Sequence, residues 1–319
     1  MKILITGING QVGSYLAESY LLKGYEVHGL IRPRGDTKFI NGIRDKLVLH
    51  MQDIKDSHGV YRTIHIVKPD VIHHLAAMTF VPYSWENPID TFDCNVDGTI
   101  NILEAARSTV PMPIVHFVGS SEEYGIVPPE EVPVTEDTPI RPGSPYGISK
   151  VTGDLLSQQY HKSYGLDTRI TRAFNHTSPR RGKGFVTMQV VTQALQIKHG
   201  KRKKFTLGNL DAIRDYSDAR EIVRAYHAAV TSDRVRPGTP YNVCSQKGTS
   251  VRELVEMVSA IAGVPGEVEQ DPSRMRPSDL PILVGSSERF REATGWANDM
   301  PLRDTLSWML ETLEMAGDY

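Results

Sequence analysis

Tyr146 and Lys150 stand four residues apart in the run Tyr146-Gly147-Ile148-Ser149-Lys150. On a helix that spacing puts a phenol and an ammonium on one face. A tyrosine at its reference pKa of about 10 is a poor base near neutrality, and a nearby positive charge favours the phenolate. Such a pair can exchange a proton with a hydroxyl or a ketone while a hydride moves to or from nicotinamide. Earlier in the chain, Gly119-Ser120-Ser121-Glu122-Glu123-Tyr124-Gly125 follows an apolar run. The Ser120 hydroxyl can hydrogen-bond the reacting oxygen. Glu122 adds something that plain alcohol oxidation does not need. Elimination needs it, because a base must remove a proton made acidic by a neighbouring ketone. The other reading of the glutamate pair is a turn cap or a surface ion pair.

These residues need a scaffold, and the first half of the chain alternates strand and helix patterns. Lys2–Thr6, Tyr25–Ile31, Leu47–His50, Val71–Leu75, Ile114–Val118 and Leu166–Arg172 read as short apolar strands. Val12–Lys23, Ser57–Val67, Val96–Ser108 and Gly147–Tyr164 carry helical periods. Strands this apolar are buried on both faces, as in a parallel sheet covered by helices. The expected fold is therefore α/β, a doubly wound parallel Rossmann sheet with a smaller C-terminal α/β substrate lobe. Residues 1–172, joined by about 216–229 and 240–244, are expected to hold the dinucleotide. Residues 175–214 and 247–319 are expected to form the smaller lobe. Gly125–Ser144, rich in Pro and Glu, reads as a loop over the carboxyl edge of the sheet, and Lys201–Lys204 as a solvated turn or helix end. Val186–Gly200 and Ser250–Ala262 read as helices, the second with a Ser cap, and Tyr241–Cys244 as a last strand.

The loop Gly7-Ile8-Asn9-Gly10-Gln11-Val12-Gly13 lies between the first strand and the first helix. Small residues there let the backbone approach a pyrophosphate, and the helix N-terminus offers amide donors. Gly7, Asn9, Gly10, Gln11, Val12 and Gly13 are thus candidate cofactor contacts. An NAD enzyme usually carries an acid at the end of the second strand. This chain has Ile31-Arg32-Pro33-Arg34 and no acid before Asp36. Two arginines suit a 2′-phosphate, so NADP is expected over NAD. Asp53 and Ile54 fit the adenine edge, and Leu75, Ala76 and Ala77 a turn beneath the cofactor.

The chain has 319 residues, 36 basic and 38 acidic side chains and a formal charge of -2. That balance suggests neither a nucleic-acid nor a membrane partner. Cys94 and Cys244 sit in apolar or small-residue settings and read as reduced, buried thiols. With a strand at the very start and no long apolar run, a soluble cytoplasmic protein without a metal is expected.

On these residues the chain resembles the extended short-chain dehydrogenase/reductase superfamily. Within it, the resemblance is to the GDP-mannose 4,6-dehydratase and GDP-4-keto-6-deoxy-mannose reductase group. It runs through Thr6–Leu16, Lys23–Gly29, Phe174-Asn175-His176, Ser178–Gly182, Phe185–Thr187, Leu207–Asp215 and Arg276–Asp279. It implies that Ser120, Glu122, Tyr146 and Lys150 are catalytic, Glu122 as the base at C5. It places Thr79, Ser121, Asn175, Val186, Arg214, Arg276 and Asp279 on a nucleotide-diphosphate sugar, GDP-linked. The Arg180-Arg181-Gly182 loop resembles one that reaches a neighbouring subunit's cofactor in tetrameric dehydratases, which makes Arg181 a cofactor contact and implies a homodimer or homotetramer. Glu123 departs from the dehydratase pattern, which has an apolar residue there. Ser120–Gly125, Tyr241–Ser245 and Pro281 read more like the reductase. The leading expectation is dehydration with an internally recycled NADP. A reductase using NADPH, an epimerase, and a non-catalytic cofactor sensor on the same fold remain alternatives.

Overall fold

The computed structural model describes residues 1–274 and 280–319. The apolar runs of the first half become strands β1 (Lys2–Thr6), β2 (Glu26–Ile31), β3 (Val48–Met51), β4 (Val71–His74), β5 (Ile114–Ser120) and β6 (Thr168–Ala173). With Pro240–Val243 they form one parallel seven-stranded sheet, ordered Pro240–Val243, β6, β5, β4, β1, β2, β3. The order reverses between β1 and β4. At such a point the connections leave in opposite directions, and a crevice opens at the carboxyl ends.

The helices on the large-sheet side are α1 (Gln11–Leu22), α2 (Ser57–Val67), α3 (Val81–Glu86), α4 (Pro88–Phe92), α5 (Gly98–Arg107), α6 (Pro145–Tyr164) and α8 (Ala219–Thr231), while α7 (Val186–Lys198) belongs to the second layer. Side chains alternate across each strand, so neighbours in sequence enter opposite cores. Ile3, Ile5, Val27 and Ile31 pack with Leu16 and Tyr20 of α1 and with Ile222 and Tyr226 of α8. Leu4, Leu30, Ile72 and Val115 pack on the other face with Ile64, Ile102, Leu103 and Tyr160. Fully burying one such aliphatic side chain stabilises the fold by about 1.5–3 kcal/mol.

The remaining chain builds a second layer. Asn175–Thr177, Ile213–Asp218, Gly248–Ser250 and Ile282–Leu283 make a small mixed sheet. Its helical side buries Met188, Val191 and Leu195 of α7 against Leu254 and Val258, with Leu306 and Met309 of Leu302–Ala316. Among the described residues no helix is long and apolar enough to cross a membrane. Neither cysteine is in a disulfide.

Two elements differ from the sequence expectation near the site. The helix expected over Val96–Ser108 begins earlier. The chain is helical from Pro88 and passes through a π-turn at Asp93–Asp97 into α5. The wide turn buries Asn95, whose amide accepts the Met78 N–H at 2.7 Å and donates to Ser149 Oγ at 2.9 Å. The helix expected from Gly147 begins at Pro145. Ser144 caps it by accepting the Gly147 N–H at 3.0 Å, and Pro145 needs no intrahelical partner in the first turn. Tyr146 is therefore inside α6, on its first turn.

Candidate active site

A cavity of about 1330 Å³ follows the carboxyl edge of the large sheet and continues beneath the small one. Its first wall is the turn after β1. Gly7 has φ +68°, and a Cβ there would lie 3.0 Å from Ala76 Cα. A Cβ on Gly13 would lie 2.3 Å from the Gly7 carbonyl oxygen. Only glycine permits this close turn, and α1 starts after Gly10 without a side-chain hydrogen bond capping it. Thr6 ties the turn to the next strand, since its Oγ accepts the Ala76 N–H at 3.0 Å and meets His74 Nδ1 at 2.9 Å.

These features fit a dinucleotide. The Gln11 Nε2 amide is buried without a hydrogen-bond partner among the described residues. Gln11 Oε1 accepts from the Arg181 guanidinium at 2.8 Å, and that guanidinium stacks 3.5 Å from the Phe185 ring centroid. Burial lowers the Arg181 pKa to about 10. An amide donor and a desolvated cation over a helix N-terminus suit a diphosphate. Asn9, Val12, Arg32, Asp53, Ile54, Leu75, Ala76 and Ala77 line the same cavity. Lys38 joins Arg32 there, and the sequence reading missed it. Arg34, read as the second 2′-phosphate ligand, does not line the cavity; it is exposed with φ +63°.

The catalytic candidates converge on the middle of the cavity. Ser120 ends β5, and Glu122 follows it on a single 3₁₀ turn. Ser120, Glu122, Tyr146 and Lys150 all face the cavity. Burial raises the Tyr146 phenol above its ordinary pKa, and a hydrogen bond with Ser120 works against that rise. Lys150 Nζ donates to the Val118 carbonyl at 2.7 Å, and burial lowers its pKa to about 8. Ser120 and Arg181 are the groups that lower the phenol, and the ammonium is turned onto the backbone of β5. The glutamate pair divides its roles. Glu123 turns inward and accepts the Ser120 N–H at 2.7 Å, closing a capping box, while Glu122 is left on the cavity.

Of the candidate substrate contacts, Thr79, Asn175, Val186 and Arg214 line the cavity. Ser121 does not. It is buried in the turn, and its carbonyl accepts the Tyr124 N–H at 3.1 Å. Arg276 and Asp279 lie outside the described residues. The Arg180-Arg181 loop folds onto its own chain. Arg180 pairs with Glu18 at 2.6 Å and stacks 3.9 Å from the Tyr15 ring centroid, beside Arg181 on Gln11. Asn95 is a further buried residue the sequence reading passed over, since it lies just before the helix expected from Val96.

A dinucleotide crevice with Ser, Tyr and Lys at its centre defines an extended short-chain dehydrogenase/reductase. The comparisons with known proteins agree. The family model for GDP-mannose 4,6 dehydratase matches residues 4–309. The chain is 36% identical to GDP-mannose 4,6 dehydratase 2 of Arabidopsis thaliana, over 98% of this chain and 87% of that one. It is 32% identical to GDP-mannose 4,6-dehydratase of Vibrio cholerae, over 99% and 94%. In structure it is similar to RMD from Pseudomonas aeruginosa complexed with NADPH, with a TM-score of 0.84 and 28% identity over 99% of both chains. It is also similar to the NAD complex of Thermus thermophilus UDP-glucose 4-epimerase, with a TM-score of 0.87 and 29% identity over 99% of this chain and 100% of that one. The chain belongs to the GDP-mannose 4,6 dehydratase family.

Proposed function

We propose that the protein converts GDP-mannose to GDP-4-keto-6-deoxy-mannose, with NADP returned unchanged at the end of each cycle. The observation that carries this reading is a second base. Glu122 faces the same cavity as Ser120, Tyr146 and Lys150, one turn from the residue that holds the reacting oxygen. Arg32 on the cavity wall supports NADP over NAD. In this reading residues 1–172, with 216–229 and 240–244, hold the dinucleotide. Residues 175–214 and 247–319 hold the GDP-linked sugar, with Arg214, Arg276 and Asp279 on its nucleotide end.

When bound, NADP supplies the hydride acceptor for C4 and the hydride donor for C6. Tyr146 takes the C4 hydroxyl proton, and Ser120 holds that oxygen. An ammonium at Lys150 favours the phenolate once bound ligand draws it from Val118. The C4 ketone acidifies C5–H, and Glu122 removes that proton. The C6 hydroxyl then departs as water, with a proton from the protonated Glu122; as C6 is reduced, C5 takes up a proton from solvent and Tyr146 releases the one it took. Exposed Trp85, Ile89, Ile148 and Leu155 on neighbouring helices support a homodimer or homotetramer. A cytoplasmic site, where Cys94 and Cys244 stay reduced, belongs to the same reading.

The test is to incubate GDP-mannose with the protein and catalytic NADP⁺ and to weigh the product. Loss of one water is expected. Unchanged GDP-mannose, together with stoichiometric NADPH oxidation on the 4-keto sugar, would overturn the proposal in favour of a reductase.

A further inference from the structure

Glu123 is fully buried directly behind the catalytic turn, in a cluster that the mechanism above does not use. Arg172 of β6 and Asp154 of α6 close around it, each almost without solvent contact. Two carboxyls here share one guanidinium. Arg172 Nε lies 2.9 Å from Asp154 Oδ2 and 3.2 Å from Glu123 Oε2, and its single N–H goes to Asp154. Another guanidinium nitrogen, Nη1, is 3.1 Å from the Tyr124 hydroxyl, which itself donates to Asn242. Asp154 also accepts from Gln158. Glu123 Oε1 accepts the Ser120 N–H at 2.7 Å. Among the described residues, Glu123 Oε2 is left with no donor at hydrogen-bond geometry.

An ionised Glu123 would therefore have a buried, under-bonded oxygen next to a second carboxylate, and both terms are unfavourable. A proton on Oε2 resolves both, because it gives that oxygen a hydrogen to donate to Asp154. The cluster then holds one cation, one anion and one neutral acid. Burial and the Asp154 charge do push the Glu123 carboxyl well above the usual carboxylate range, against the pull of Arg172. The charged and titratable groups facing it are Arg172 from β6, Asp154 and Lys150 from α6, and Tyr124 from its own turn, with Glu136 reaching the far side of Tyr124 and Arg172.

We propose that Glu123 is a positioning residue: as a neutral acid shared with Asp154, it fixes the amide of Ser120, and hence the Ser120–Glu122 turn, without setting a net charge behind Lys150. An apolar residue at this position could fill the space but could not accept the Ser120 N–H. An ionised one would accept it and would also pull Lys150 toward a permanent charge. The neutral acid does the first and avoids the second. The positioning role rests on the function proposed above; the protonation state does not.

The test combines spectroscopy with a pair of variants, Glu123→Gln and Glu123→Leu. Infrared spectra of the wild type at pH 7 should contain the carbonyl stretch of a buried protonated carboxyl, and Glu123→Gln should remove it. The glutamine keeps an acceptor for Ser120 and a donor for Asp154. It should retain turnover within about threefold and leave the midpoint of the pH–kcat profile in place. The leucine leaves the amide unpaired and should lower kcat by about tenfold or more at nearly constant KM. If the band is missing in the wild type, or if Glu123→Gln moves the pH midpoint by a full unit, Glu123 is ionised and the proposal fails. Wild-type kcat in Glu123→Leu would also sink it. Should the leucine variant not fold, the glutamine variant and the infrared band still decide. A wild type that shows the band but has no activity on GDP-mannose would refute the function and leave the protonation state standing.

Discussion

Acidification from pH 7 to pH 5 should cost this protein a large part of its stability, through histidines locked inside the sheet. His73 and His74 on β4 and His116 on β5 are all buried. Tyr20 Oη meets His73 Nε2 at 2.7 Å, His73 Nδ1 meets His116 Nδ1 at 2.9 Å, and His116 Nε2 meets Thr171 Oγ at 2.9 Å. This chain uses every ring nitrogen once when both rings are neutral. A proton added to the ring that accepts across the shared Nδ1–Nδ1 contact sets two N–H donors face to face. His74 is likewise fixed, between Thr6 and Thr99 at 2.9 and 3.0 Å. Burial holds His74 and His116 down to a pKa of about 3, and His73 well below its ordinary value.

The sign follows from proton counts. Below about pH 6.5 the unfolded chain binds protons at these rings that the folded chain refuses, so stability is complete above that pH and falls as pH drops toward the folded value. Between pH 7 and pH 5 each ring loses about 1.9 kcal/mol, so His74 and His116 together lose about 3.8 kcal/mol. Asp215 acts the other way, because burial raises its pKa to about 6. It binds a proton in the folded state first and returns about 1.3 kcal/mol by pH 5. His73 and His176, also held low by burial, add to this loss, and Glu123, already protonated in the folded protein at pH 7, offsets part of it, against a total stability of about 5–15 kcal/mol. Urea unfolding at pH 7, 6 and 5 measures the net loss. In His74→Gln, whose amide can still meet a threonine hydroxyl, the loss should shrink by about 1.9 kcal/mol. An identical loss in the variant and the wild type would refute the reasoning.

Other expectations follow from single contacts. Glu122→Gln should still oxidise C4, seen as NADPH absorbance after GDP-mannose is added to the NADP⁺ form, while water loss falls by about 10²–10⁴-fold; full turnover would remove Glu122 from the mechanism. Arg32→Ser should weaken NADP binding by about tenfold or more and leave NAD binding nearly unchanged, as calorimetric titration of both would read. Gly125 has φ +60°, and a Cβ there would lie 1.7 Å from the Arg141 carbonyl oxygen. Gly125→Ala should therefore lower stability by about 1–3 kcal/mol, measured by thermal unfolding. The Tyr226 hydroxyl is buried without a partner among the described residues, so Tyr226→Phe should leave the ligand-free protein as stable as before, or more stable by about 1 kcal/mol.

Much of the large sheet was legible by one rule: a strand buried on both faces is mostly apolar, as Lys2–Thr6 and Ile114–Val118 are, although Arg169, Thr171 and Arg172 of β6 depart from it. The small sheet obeys no such rule. Ile213–Asp218 reads Ile-Arg-Asp-Tyr-Ser-Asp, which resembles a loop. It is a strand because Asp215 is buried as an acceptor for the Ser245 N–H at 2.7 Å, the Ser245 hydroxyl at 2.6 Å and the Gln246 N–H at 2.9 Å. Those donors come from distant sequence, so no local pattern could show them. Asn95 was hidden for a related reason, since its partners Met78 and Ser149 come from two other segments.

The glutamate pair is where sequence and structure part most usefully. Glu122 and Glu123 are identical in type and adjacent in the chain, so residue chemistry alone offers two candidates for one base, with a cap or an ion pair as the plainer reading. The turn after Ser120 separates them. A 3₁₀ turn carries consecutive side chains to different sides, so one carboxyl must face the cavity when the other closes the capping box. The cap reading holds for Glu123, and Glu122 is the carboxyl that lines the cavity. Glu123 caps the turn through the Ser120 N–H, so the departure from the family's apolar pattern and the carboxyl of Glu122 are parts of the same turn. The expected help from Lys150 to Tyr146 is a different matter. That lysine is bound to Val118 and its pKa is lowered by burial to about 8, so its effect on the phenol depends on what enters the cavity, and no reading of spacing alone could have supplied that condition.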